Sequence, residues 1–251
     1  MTHAHAHAHA HAHAPAPHDA KMALATLDRA LARAGELDEA LMAAIAAEQY
    51  RPYDDTVRIT ASVSAGCVAL EHGRALRVLV AQGLPTAAFS LLRLQHEALT
   101  RAVWLLYAAT DLAVDKLAAP LSKETEAAAN KLPMLSDMLR QLAAKPAAAQ
   151  PLLGLQAFKD NSAAALNSFV HVGIHALQRH ALGFPEPLVI GALHNCNGLL
   201  LMAGMMLAVL AGNQPMVRRV SRLQVEFAAD LPPPLPTHAR ADGAVGQAQE
   251  H

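Results

Sequence analysis

Residues 91–107 read LLRLQHEALTRAVWLLY, and this stretch decides the fold class. At ~100° of rotation per residue, Arg93, Glu97, Thr100, Arg101 and Trp104 fall in one quadrant, which Asp111 joins if the helix continues that far. Leu91, Leu94, Leu99, Ala102, Val103, Leu105 and Leu106 occupy the rest. An apolar cylinder with one polar stripe is the pattern of a helix covered on most of its sides. A tryptophan three residues beyond the last arginine places that stripe beside a pocket or a second helix, because a ladder in open water has no use for an indole.

Helical punctuation extends in both directions. Asp19 is placed to cap a helix over 19–34 that Gly35 ends, and a second helix over 37–50 stops at Arg51-Pro52-Tyr53-Asp54. A long helix over 55–82 ends at Gly83-Leu84-Pro85, and Thr86 caps the next. Pro120 and Pro133 divide 111–118, 122–131 and 134–144 into short helices richer in charge, a peripheral excursion. A long helix over 155–181 follows, then an apolar one over 187–211 and a last one over 214–229. No stretch shows sustained period-two alternation between hairpin signals. The expected fold is therefore all-α, a multi-helix bundle of antiparallel long helices occupying residues 19–230 as one domain.

The ends differ in kind. Residues 1–18 carry an alternating His-Ala repeat and are expected to be disordered; the repeat could capture a transition metal or be an adventitious expansion. Residues 231–251 begin Leu-Pro-Pro-Pro-Leu-Pro and read as a disordered tail. The 251-residue chain is 53% hydrophobic, enough for a sizeable core, and its formal net charge of −1 gives no field that favours DNA or an anionic membrane. Two cysteines, Cys67 and Cys196, without a Cys-x-x-Cys or a secretory leader, fit a cytoplasmic protein with reduced thiols. The charge-free run from Gly198 to Gly212 falls short of the ~20 residues needed to span a bilayer and meets His194, Asn195 and Asn197 upstream. It reads as a core helix rather than a membrane span. Its small residues and Met202, Met205 and Met206 suit close helix packing or a homodimer partner.

Function rests on polar stripes. On the helix over 155–181, Asn167, Ser168, His171, His175 and Gln178 share a narrow sector opposite Leu166, Phe169, Val172, Ala176 and Leu177. If this stripe meets that of Arg93, Glu97, Arg101 and Trp104, Glu97 could orient an imidazole and leave one arginine free for an anion. Arg93, Glu97 and Arg101 could equally form an exposed ion-pair ladder or a buried structural network. His171 and His175 at i and i+4 could bind a metal, although Val172 stands where a metalloprotease helix has its glutamate. No cofactor is implied. Arg218, Arg219 and Arg222 read as a solvated face or a phosphate contact.

The pairing of Arg93-x-x-x-Glu97-x-x-x-Arg101-x-x-Trp104-Leu105 with Leu166-Asn167-Ser168-Phe169-Val170-His171-Val172-Gly173 resembles an uncharacterised bacterial family of all-helical proteins known only as a domain of unknown function. Val170 stands where that family often has threonine. More distantly, the long helices with polar residues near a seam are similar to the HEPN superfamily, bundles that often dimerise and include ribonucleases of toxin and phage-defence systems. The nuclease members set an arginine and a histidine at a spacing that no pair in this chain has, Arg179-His180 included. The resemblances and stripes imply three alternatives. One is a bundle, expected to be a homodimer, that binds a small anionic ligand, a nucleotide or a protein partner through Arg93, Glu97, Arg101, Trp104, Asn167 and Ser168. Another is an RNA-cleaving protein in which His171 or His175 moves protons. The last is a structural interaction module.

Overall fold

The computed structural model describes the backbone of residues 17–234 and side chains from residue 26 onward. The His-Ala repeat from His3 to Ala14 and residues 235–251 of the expected tail lie outside the described residues. Every element described is helical: α1 (Pro17–Ala46), α2 (Val57–Ala81), α3 (Pro85–Tyr107), α4 (Asp111–Ala118), α5 (Lys123–Ala129), α6 (Leu135–Ala143), α7 (Ala149–Phe158), α8 (Ala164–Val170), α9 (Ile174–Leu182), α10 (Glu186–Leu210) and α11 (Gln214–Glu226). A π-helical segment, Lys159–Ala163, joins α7 to α8. The protein is an all-α multi-helix bundle.

The centre is α10. Leu193, Leu199, Leu200, Leu201, Ala203, Leu207, Ala208 and Leu210 are all buried, and α1, α2, α3 and α11 surround it. The helix runs for 25 residues, so it is longer than its charge-free core and by length could cross a bilayer; 67% of its most apolar window is covered by the bundle. α2 and α3 form an antiparallel hairpin across a turn in which Gly83 has φ 70°, a left-handed conformation that costs glycine little. Pro85 is the first residue of α3, where its missing N–H is no loss. Leu84 therefore occupies the cap position and Thr86, expected to be the cap, lies two residues inside it.

Two expectations fail for tertiary reasons. The separate helices expected over 19–34 and 37–50 are the single helix α1, with Gly35 in its interior. Asp38 accepts from Arg74 Nε at 3.0 Å and Arg77 Nη2 at 2.6 Å, while Arg77 Nη1 donates to Ala34 O at 3.1 Å. These bonds clamp both sides of Gly35 to α2, and Ala34, Leu37 and Leu41 are completely buried. Together they outweigh the ~1 kcal/mol helix penalty of a glycine. The long helix expected over 155–181 is three pieces, broken by the π segment and by a turn at residues 171–173. Residues 231–234, expected in the tail, continue the fold: a Cβ on Gly198 would lie 3.0 Å from Pro232 Cδ.

Close approach of α10 to α1 depends on Gly204, where an added Cβ would sit 2.5 Å from Leu41 Cδ1 and 3.2 Å from its Cγ. Leu41 is wholly buried and has no room to withdraw. Gly204→Ala, which would stabilise an exposed helix by ~1 kcal/mol, should here lower unfolding free energy by about 1–3 kcal/mol in urea titrations.

Candidate functional site

The stripe on α3 divides among several neighbours. Arg93 pairs with Glu97 at 2.7 Å, with the arginine side chain 16% exposed and the carboxylate 38%; such an i,i+4 pair is worth ~0.3–0.5 kcal/mol. Trp104 is core: its indole N–H donates to Gln141 Oε1 at 2.7 Å and ties α3 to α6. Asp111 starts α4 and pairs with Arg58 at 2.6 Å. Arg101 is half-buried and lines a cleft of about 440 Å³ with Asp55, Thr60 and Ser64. The buried polar residues of α3 are instead Gln95, His96 and Thr100.

The second stripe does not exist as a helix face. α8 ends at Val170, His171 is its C-terminal cap, Val172 has φ 53°, and α9 begins at Ile174. Left-handed backbone is unfavourable for a β-branched residue, and the surrounding bonds hold it. Gly173 N–H donates to Ser168 O at 2.6 Å, and Ser168 Oγ accepts from His175 N–H at 2.9 Å. A Cβ on Gly173 would lie 2.6 Å from that hydroxyl. Ser168 thus supplies α9 with the cap its own sequence lacks. Phe169 packs at a tilt against Phe89 and Phe184 with centroids 5.0 and 6.0 Å away. Residues 167–173 therefore form a corner, with Asn167, His171 and His175 exposed on it. Among the described residues, no hydrogen bond, ion pair or ring contact joins this corner to Arg93, Glu97 or Arg101.

A different region gathers the features of a site. α7, the π segment, α10, α11 and residues 231–233 enclose a cleft of about 550 Å³. Phe158, Leu199, Leu201, Met202 and Leu231 supply apolar walls, and Asn161, Ser162, Asn195 and Gln224 the polar atoms. Among the described residues, none that lines the cleft is charged or a histidine. The wall formed by residues 231–233 is anchored at the preceding residue: Asn197 Nδ2 donates to Asp230 O at 2.9 Å, and Arg33 Nε donates to Asp230 Oδ2 at 3.0 Å.

His96 supports the opposite wall. Its ring stacks on Phe158 with centroids 4.5 Å apart, and Nε2 lies 2.9 Å from Leu155 O. A carbonyl can only accept, so Nε2 carries the proton. Burial, with help from the nearby charges of Arg93 and Lys159, pushes the imidazole down to about 4 despite the Leu155 bond, and it is neutral at pH 7. Cys196 is buried, donates to Gly73 O at 3.5 Å and is pushed up to about 12 by desolvation, which removes it as a nucleophile.

Sequence reasoning passed over His96, Asn161 and Asn195. The signals were a run of four polar residues, Lys159-Asp160-Asn161-Ser162, in an apolar helix, and the interruption His194-Asn195-Cys196-Asn197 in the most apolar one. π segments occur often at functional sites.

Residues 66–233 match a family of unknown function, DUF6988. The chain belongs to DUF6988. The matched span begins within α2 and ends at Pro233, so it takes in the whole 550 Å³ cleft as well as both polar segments of the sequence, and leaves α1 outside. Membership agrees with the resemblance to an uncharacterised all-helical family and lends nothing to the HEPN likeness. Comparison of this DUF6988 chain with curated proteins and with solved structures finds no match.

The buried imidazole makes stability depend on pH. His96 titrates at 6.5 when unfolded and at about 4 when folded, so below pH 6.5 the unfolded chain gains protons that the native state refuses. Stability contributed by the neutral ring is complete above pH 6.5 and falls as pH drops toward 4, by about 3 kcal/mol. His96→Leu should lack this component: urea titrations from pH 7 to 4.5 should show a shallower fall than in the wild type, and parallel slopes would contradict the assignment.

Proposed function

We propose that this DUF6988 protein is a binding protein that takes a small, mainly apolar molecule into the cleft between α7, α10 and α11. The observation that carries this reading is the cleft's composition. About 550 Å³ lies within the usual range of ligand sites, and the walls are aliphatic and aromatic with a few polar atoms. One wall is the buried helix α10 and the facing wall is interrupted by the π segment, so a firm surface opposes one that has already left regular α geometry. The described lining residues include no acid–base pair, which favours binding over catalysis at this surface.

A second reading keeps the anionic ligand and moves it. Arg101 has no ion-pair partner among the described residues and opens on the 440 Å³ cleft between α2, α3 and α4, beside the hydroxyls of Thr60 and Ser64. Asp55 lines the same cleft and opposes an anion there.

Ligand-observed NMR with a fragment library separates the two. Ala157→Trp fills the first cleft and Arg101→Ala removes the cation of the second; circular dichroism establishes that both variants fold. The expected result is a set of uncharged hits lost in Ala157→Trp and retained in Arg101→Ala. Anionic hits with the reverse pattern would transfer the function to Arg101, and hits indifferent to both substitutions would refute both readings.

A further inference from the structure

The cleft between α7, α10 and α11 has a direction. Phe158 of α7 stacks on His96 and, further along the chain, Phe169 of α8 packs against Phe89, so α7 and the segments after it run down α3 against its chain direction. α10 runs the other way. Phe184, just before it, packs against Phe89 with centroids 5.3 Å apart, and Gln95 Nε2 donates to Cys196 O at 3.2 Å. α7 and α10 are therefore antiparallel across the cleft. One side is lined from Gly154 to Ser162 and the other from Asn195 to Met202. At ~1.5 Å of rise per residue, each run is about 10–12 Å long.

The two ends of this trough differ. At one, Asn161 and Ser162 of the π segment lie opposite Asn195, and Asn161 is exposed. These amides and the hydroxyl can each both donate and accept, so they suit an uncharged polar head of either kind. At the other end Met202 reaches across from α10 to α7: a Cβ on Gly154 would lie 3.0 Å from its Sδ and 3.1 Å from its Cε. Gly154 leaves the hole in which the thioether sits, and the contact bridges the two long walls. Between the ends the walls are Ala157, Phe158, Gly198 and Leu199, with Pro232 lying over Gly198. Gln224 joins the lining from α11 and is exposed.

We infer that the cleft takes an uncharged single-chain amphiphile lying along α7 and α10, with its head at the Asn161–Asn195 end, and that Met202, seated on Gly154, is the stop that sets the length of its chain. This rests on the reading of the cleft as the binding site, and it adds the shape of the ligand and a residue that selects for it. A charged head is disfavoured because none of the described lining residues could pair with it. Each methylene laid in the trough leaves water and adds affinity. One that would pass Met202 must displace the thioether or turn back to solvent, and adds none.

Titration calorimetry on the full chain with the straight-chain 1-alkanols from 1-butanol to 1-dodecanol tests it. In the wild type, affinity should rise about fourfold per added carbon and level off before the longest members. Met202→Ala should leave 1-butanol unchanged and carry the rise to longer chains. Gly154→Ala, whose methyl takes the seat of the thioether and returns it to the trough, should end the rise sooner; circular dichroism establishes that both variants fold. A merely structural methionine would weaken every alkanol by one common factor in Met202→Ala, and that result would overturn the stop. So would a rise that never levels in the wild type, or a level that neither substitution moves; if Ala157→Trp still abolishes binding, the cleft reading survives these results. Tighter binding of octanoate than of 1-octanol would overturn the uncharged head. Binding that Ala157→Trp does not affect, or no binding of any alkanol up to its solubility, would overturn the cleft reading and the stop with it.

Discussion

Burial of most of α10 is the constraint from which the rest of this structure follows. A helix apolar around its whole circumference has no face to offer water, so it must be sheathed, and α1, α2, α3 and α11 are the sheath. Four helices can close around a fifth only where side chains are small. Gly204 admits Leu41 of α1, Gly66 of α2 lies against Leu207, and Gly73 of α2 brings the backbone up to Leu200 and Gln95. Hydrophobic burial supplies the drive and the glycines set the distances at which it is realised.

The candidate site is a by-product of that arrangement. Within α10 the run Asn195-Cys196-Asn197 places three polar side chains ~100° apart, so they turn to three different neighbours. Cys196 reaches Gly73 on α2, Asn197 reaches Asp230 beyond α11, and Asn195 is left on the cleft wall. One short interruption in an apolar helix thereby ties it to α2, anchors the segment that carries Leu231 and Pro232, and leaves an amide side chain on the cleft. Across the gap, Phe158 is held by the buried neutral ring of His96, which links α3 to the end of α7.

What could be read from the sequence, and what could not, follows from the range of the forces involved. The bounds of α2, α4 and α10 are set by local chemistry, such as Thr110 capping α4 at Ala113 N–H and Pro185 preceding α10, and they emerge close to where the sequence puts them. Gly35 reads as a stop and is not one, because Asp38, Arg74 and Arg77 hold it from a distance no local pattern reveals. The break at residues 171–173 is hidden for the opposite reason: valine is among the residues least expected at positive φ, and the bonds that impose it run from Ser168 to Gly173 and His175. Helical angles located Arg93, Glu97, Arg101 and Trp104 correctly on one side of α3. An angle does not say which neighbour occupies that side, and there α6 claims the tryptophan while the arginines part company.

The same contrast between a sheathed helix and an interrupted one makes the account measurable. Native-state hydrogen exchange across a denaturant series reports the opening free energy of each amide. Amides in the middle of α10, residues 193–208, should exchange only through global unfolding, while those of the π segment and the corner that follows, residues 159–175, should exchange through smaller local openings. Exchange in α10 as fast as in residues 159–175 would contradict the claim that the buried helix is the rigid wall on which the cleft is built.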